Sequence, residues 1–259
     1  MSTIMKKLTA LFMMLFALGL LSGCASTGDS VSSKDDPYEG FNRSMYKFND
    51  VLDKGFLQPL ASGYATIVPS PVRKSITNFF DNLGYLNVIL NALLQGKFDQ
   101  AVSDSLRFVY NSTLGIGGLF DVSTAIGAPR NNDDFGKTLA SWGFERGSYW
   151  YYPFFGPDTT RNSGDVVTRN LVDPTNYLNS IVLFPLRALN IVNTRANLLD
   201  ATRIRDEAAV DPYVFTREAF LQQRDYLIYD GNPPVDGYDD IFDDASVESE
   251  DTEGRLVIE

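Results

Sequence analysis

One cysteine occurs in the 259 residues, and its setting specifies a chemistry. Cys24 follows Leu21-Ser22-Gly23 at the end of an apolar run, Leu8 to Leu21, broken only by Thr9 and Gly19. Ahead of that run, Met1 to Lys7 carries two lysines and no acid. Charged start, apolar stretch and small residues together predict a secretory signal at residues 1–23. The apolar run is shorter than the ~20 residues a spanning helix needs. A cysteine at the position after the cut predicts that its thiol takes a diacylglycerol and its freed amine a third acyl chain. One acyl chain binds a membrane only marginally, at ~0.8 kcal/mol per buried CH₂, whereas three hold the chain durably.

The rest of the chemistry is narrowed by what is missing. The chain has no histidine, and an acylated Cys24 leaves no thiol. Ser-His-Asp and Cys-His catalysis, histidine metal sites and disulfides are therefore excluded. Carboxylate, lysine and tyrosine chemistry remain. Gly115-Ile116-Gly117-Gly118 lacks the spacing of a dinucleotide loop. Asp133-Asp134 and Asp239-Asp240 have no calcium-loop pattern around them, and for the Asp-rich tail a solvated charge run suits better than a loose cation site. No catalytic residue, cofactor or metal is expected. The net charge is −11, and removing Lys6 and Lys7 with the signal makes it −13. Nucleic-acid binding is not expected, since phosphate contact needs a basic face. Aromatic residues reach 13%, which favours apolar ligands, lipid or a protein partner.

The elements that position these groups are mostly helical. Ala25 to Asp35 is small and polar, so residues 24–35 read as a flexible tether. Residues 36–229 form the expected domain, and residues 230–259, with eleven acids and one base, an acidic disordered tail. Asp36-Pro37-Tyr38-Glu39 has the form of a capped helix start, and Asp173-Pro174 and Asp211-Pro212 repeat the Asp-Pro signal. A long helix is expected from Asp211 to about Tyr229. Alternating strand patterns are scarce, so the expected fold class is all-α.

Two segments carry polar stripes. In Leu83 to Gly96, Leu83, Leu86, Leu90 and Leu93 share one side, while Asn87, Asn91 and Gln95 recur every four residues. In Leu178 to Asn197, Arg187, Asn190, Thr194 and Asn197 oppose an apolar side, and Pro185 is expected to bend or break the helix. Periodicity alone leaves open whether these segments are ordinary core helices with a polar solvent face, lie tilted in a membrane or pack as a helical hairpin. Residues 111–147 are rich in glycine, which suits tight bends or close backbone approach. Tyr149 to Phe155, six aromatics around Pro153, reads either as an interfacial belt or as a core strand or plug.

An ordered set of motifs then resembles one family. Asp36-Pro37-Tyr38-Glu39-Gly40-Phe41-Asn42-Arg43 is similar to the opening signature of the MlaA (VacJ) lipoproteins. So are Asn78-Phe79-Phe80-Asp81-Asn82-Leu83, Asn91-Ala92-Leu93-Leu94-Gln95-Gly96, and Arg107-Phe108 with Asn111 to Gly118 and Asp121. Asp134-Phe135-Gly136-Lys137-Thr138, Trp142-Gly143, Gly156-Pro157, Arg195-Ala196 and Asp211-Pro212-Tyr213 complete the order.

The resemblance implies a ring of helices lying in the outer membrane around a central amphipathic channel. It implies a non-enzymatic role: removing mislocalised phospholipid from the outer leaflet for retrograde transport, which maintains lipid asymmetry. The implied partners are a trimeric outer-membrane porin and a periplasmic carrier of the MlaC kind. Lipid-anchored placement at the outer membrane, facing the periplasm, agrees with Ala25 after Cys24. Under this picture Asn87, Asn91, Gln95, Arg187, Asn190, Thr194 and Asn197 become candidate channel residues, and Gly115, Gly117 and Gly118 a candidate hinge. An adaptor that supports a porin and a lipid hydrolase are the alternatives; the missing histidine counts against the hydrolase.

Overall fold

The structure, a computed structural model, describes residues 36–233. The signal segment, Cys24, the tether and most of the acidic tail lie outside the described residues. The chain divides into two units, with the boundary along the sequence after Phe220.

The first unit is helical except for one hairpin, so the all-α expectation holds. Its elements are α1 (Glu39–Leu52), a π-helical turn (Asp53–Leu57), α2 (Gln58–Ile67), α3 (Ser70–Leu94) and α4 (Phe98–Thr113). Short helices α5 (Val122–Ala125) and α6 (Phe135–Ser141) precede strands β1 (Tyr149–Tyr152) and β2 (Gly156–Thr159). Then come α7 (Asp165–Val172), a 3₁₀ turn (Pro174–Tyr177), α8 (Ser180–Asn197), α9 (Leu199–Ala208) and α10 (Pro212–Ile228). Helix α10 continues into the second unit, where Gly231 N–H closes on the Tyr226 carbonyl at 2.8 Å. No helix among the described residues is long and apolar enough to cross a membrane.

The three Asp-Pro signals have three outcomes. Asp211 caps α10 as expected, accepting Tyr213 N–H at 3.0 Å and Val214 N–H at 3.2 Å. Asp173 caps only the 3₁₀ turn, accepting Thr175 N–H at 2.8 Å. Asp36 is not the N-cap of α1, which starts at Glu39 with Tyr38 in the cap position and no side-chain cap bond. Asp36 is instead fully buried, accepting from Asn42 Nδ2 at 2.8 Å, from Arg217 at 3.2 Å and from the Tyr213 hydroxyl. Tertiary pairing has overridden a local cap there. Pro185 does not break its helix: α8 runs through it to Asn197.

The aromatic run supplies a strand and the turn after it, as its strand reading expected. β1 pairs antiparallel with β2, with Tyr149 opposite Thr159 and Tyr152 opposite Gly156. Tyr149 and Tyr151 are buried, while Phe155 at the turn is 90% exposed. Burial raises the Tyr151 hydroxyl to about 12 and drives that of Tyr149 higher still.

The distribution of polarity runs opposite to that of a water-soluble domain. On α4, Asp104, Arg107 and Asn111 are buried, whereas Phe98, Val102, Leu106 and Val109 are exposed. The buried face of α3 likewise contains Asn82, Asn87 and Asn91. Asn193 and Arg195 are the buried polar residues of α8, and Ile181 and Phe184 project outward. Interiors of soluble proteins are normally enriched in Ile, Val, Leu and Phe.

Candidate functional site

Helices α3 and α8 are neighbours in the first unit, and α7 packs on α3. Between them and the 130–134 loop lies a cavity of about 710 Å³. Its walls come from α3, that loop, the end of α7 with the 3₁₀ turn, and α8.

The polar stripe of α8 enters the cavity at Arg187, Asn190 and Thr194, which are spaced along one face. Asn197, one turn further, does not line it and donates to Thr77 Oγ1 at 3.0 Å. The α3 stripe runs from the cavity wall into the protein. Asn87 lines the cavity, but its amide donates to Asp165 Oδ1 at 3.0 Å. Asn91 is fully buried; its amide donates to the Asn87 carbonyl at 2.8 Å, and Asn91 Oδ1 accepts Thr138 Oγ1 at 2.8 Å. Gln95 donates to Asp133 Oδ1 at 3.0 Å, joining α3 to the loop before α6. Asn91 and Gln95 therefore lie away from the cavity wall. The structure brings four of the seven polar candidates together around one space.

Both signs of charge line this space. Arg130 meets Asp81 at 2.5 Å. Arg169 grips Asp165 through Nε at 3.0 Å and an NH₂ at 2.6 Å. Asp133, fully buried, is neutralised by Lys137 at 3.0 Å. Arg187 is exposed to the cavity and donates to the amide oxygen of Asn176. The Tyr85 hydroxyl, raised by burial, donates to the Asn131 carbonyl at 3.3 Å and so holds the loop on α3. Among the described residues no group of three or more acidic side chains is placed to hold a metal ion.

Gly115, Gly117 and Gly118 form a closed turn beside α4. Gly117 N–H donates to the Ser112 carbonyl at 2.8 Å and Gly118 N–H to that of Asn111 at 2.9 Å. A Cβ on Gly115 would stand 2.2 Å from the Phe120 carbonyl oxygen, and one on Gly118 2.6 Å from Asn82 Cβ. Close approach thus requires glycine at both positions, and Gly117 adopts φ +69°. Ile116 between them also has positive φ, at 53°, which is rare for a β-branched residue. Asp121 holds the turn's far end: Arg107 reaches its two oxygens at 2.7 and 2.6 Å, and Asn111 donates at 3.0 Å.

Sequence reasoning passed over Asp173, Arg130 and Asp81 as wall residues. Their separation in the chain hides their meeting, and only the Asp-Pro start drew attention to Asp173.

A family model, MlaA lipoprotein, matches residues 34–227. The intermembrane phospholipid transport system lipoprotein MlaA of Escherichia coli K12 is 36% identical over 221 residues, covering 83% of this chain and 88% of that one. The Haemophilus influenzae protein of the same name is 34% identical over 235 residues, covering 88% and 93% respectively. A solved chain from work on the structural basis for maintenance of bacterial outer membrane lipid asymmetry superposes with a TM-score of 0.66. That chain is 34% identical and is covered completely, against 75% of this one. On its sequence and its fold alike, the chain belongs to the MlaA lipoprotein family.

Proposed function

We propose that this protein is an outer-membrane lipoprotein that takes phospholipid out of the outer leaflet and passes it toward the periplasm. The observation that carries this reading is the inverted polarity of the helices around a charged cavity. An apolar face such as Phe98–Val102–Leu106–Val109 is unfavourable against water and at rest against acyl chains. Buried Asn, Asp and Arg groups gain where water is excluded, provided each has a partner. The cavity gives a headgroup what the surrounding hydrocarbon denies it. At about 710 Å³ it falls in the usual range of ligand sites, roughly 300–1,000 Å³.

In this reading Arg187 meets the lipid phosphate, and Asn190 and Thr194 offer neutral hydrogen bonds along the same face. Asn87 supports the wall from α3, with Asn91 and Gln95 bracing that helix behind it, and Asn197 fixes the end of α8. The glycine turn gives close packing beside α4. A triacylated Cys24 anchors the chain, a porin trimer holds it in the membrane, and a periplasmic MlaC-like carrier receives the lipid. The protein makes and breaks no covalent bond.

The test is surface phospholipid in cells lacking the gene, read by an outer-membrane acyltransferase that labels lipid in the outer leaflet. Deletion should raise the label; wild type should lower it again, and Cys24→Ser should not. An unchanged label with altered porin assembly would replace this reading with the adaptor role.

A further inference from the structure

The cavity wall holds three arginines, and two of them are neutralised by aspartates. Arg187 is the exception: among the described residues it has no carboxylate oxygen within 4 Å, and it donates to the Asn176 amide oxygen. Among the aspartates on the wall, Asp81 pairs with Arg130, Asp133 pairs with Lys137, and Asp134 caps α6 through Lys137 N–H. Asp173 is different. Its Oδ1 accepts Thr175 N–H at 2.8 Å and Thr175 Oγ1 at 2.7 Å, and among the described residues no cationic side chain lies within 4 Å of it.

Arg187 and Asp173 are thus two unmatched charges of opposite sign on one wall, and they do not pair with each other. The 3₁₀ turn keeps them apart. Asp173 caps its start, and Asn176, whose N–H donates to the Asp173 carbonyl at 3.1 Å, occupies the guanidinium. A ligand with a phosphate and an ammonium a few atoms apart complements both.

We infer that the cavity prefers zwitterionic headgroups to anionic ones, with Arg187 taking the phosphate and Asp173 the ammonium. The inference rests on the lipid-handling role proposed above. Phosphatidylglycerol satisfies Arg187 equally well but brings only hydroxyls to Asp173. An arginine–phosphate contact has fork geometry and charge together, so it sets affinity for either lipid. The carboxylate then sets the choice. For a partly exposed ion pair the expected discrimination is up to about fivefold.

The experiment uses full-length protein in detergent with a photocrosslinking residue in place of Leu186, which lines the cavity. It is presented with an equal mixture of short-chain phosphatidylethanolamine and phosphatidylglycerol. Wild-type background should capture phosphatidylethanolamine several-fold over phosphatidylglycerol. Asp173→Asn, whose amide oxygen can still cap the turn, should bring the ratio to about one by lowering phosphatidylethanolamine capture. Arg187→Gln should lower both captures, and Arg187→Lys should restore part of each. Equal capture by the wild-type background, or an unchanged ratio in Asp173→Asn, overturns the inference but leaves the lipid role standing. Capture of neither lipid overturns both.

Discussion

Asn42 serves Tyr151 as a neighbouring strand would. Tyr151 N–H donates to Asn42 Oδ1 at 2.9 Å, and Asn42 Nδ2 returns to the Tyr149 carbonyl at 3.1 Å. Two helical turns later Asn49 repeats the clasp, donating to the Tyr152 carbonyl at 2.9 Å and accepting Phe154 N–H at 2.8 Å. Helix α1 therefore closes the free edge of β1 with side-chain amides. Asn42→Leu strands a buried N–H, a buried carbonyl and one bond to Asp36. At about 1–3 kcal/mol for each unsatisfied group, the variant should lose at least about 3 kcal/mol in detergent melts. Asn49→Leu, on a half-buried position, should lose less. Equal melting of both variants and wild type would refute the clasp.

The three glycines of the turn separate conformational strain from steric conflict. Gly117 has φ +69° but open space where a Cβ would sit, so Gly117→Ala should cost only about 1–2 kcal/mol. Gly115→Ala and Gly118→Ala drive a methyl into Phe120 and Asn82 and should be far worse, failing to accumulate in folded form. Thermal unfolding of the three alanine variants checks the order.

Asp121 gives an acid-sensitive lock. Burial pushes its carboxyl up, but bonds from Thr124 and Asn111 and the Arg107 guanidinium outweigh this, so its pKa lies below the ordinary carboxylate value. A depressed folded pKa supplies stability that is present above the unfolded value and lost as pH falls through the folded one. Wild type should therefore lose stability below about pH 4, and part of that slope should vanish in Asp121→Asn. Arg107→Ala, which leaves the carboxylate without its cation, should cost about 3 kcal/mol at pH 7. Melting curves of the two variants from pH 3 to 7 measure both effects.

The outward face of α4 tests the surrounding medium. In water, Val102→Lys or Leu106→Lys would be neutral or helpful. Against acyl chains each should cost about 2–3 kcal/mol. In a Cys24→Ser background either change should move the protein from the membrane to the soluble fraction, with helicity in detergent unchanged. Undisturbed membrane partition would mean that this face does not touch lipid.

The sequence made the helices legible because 3.6-residue periodicity survives inversion: α3, α8 and α10 fall where apolar and polar stripes alternate. Which stripe faces inward is not written in the period. Asn91 and Arg187 look alike in helical spacing, yet one is sealed against Thr138 and the other opens on a cavity. Asp36 misled for a related reason, since an Asp-Pro pair is locally a cap and only its contact with Asn42, six residues on, and with α10 reveals a buried hub. The hairpin was half legible: the aromatic run announced itself, but pairing with Gly156–Thr159 depends on a turn at Phe154 with φ 69°.

The inverted helices have a calorimetric consequence. Heat capacity rises on unfolding chiefly because apolar groups become hydrated, at about 0.45 cal/K/mol per Å². Here many large apolar side chains already lie outside, and many of the groups set free from the interior are amides and ions, whose hydration lowers the heat capacity. The stability curve in detergent should therefore be unusually flat, with a melting enthalpy that scarcely changes with temperature and no approach to cold unfolding.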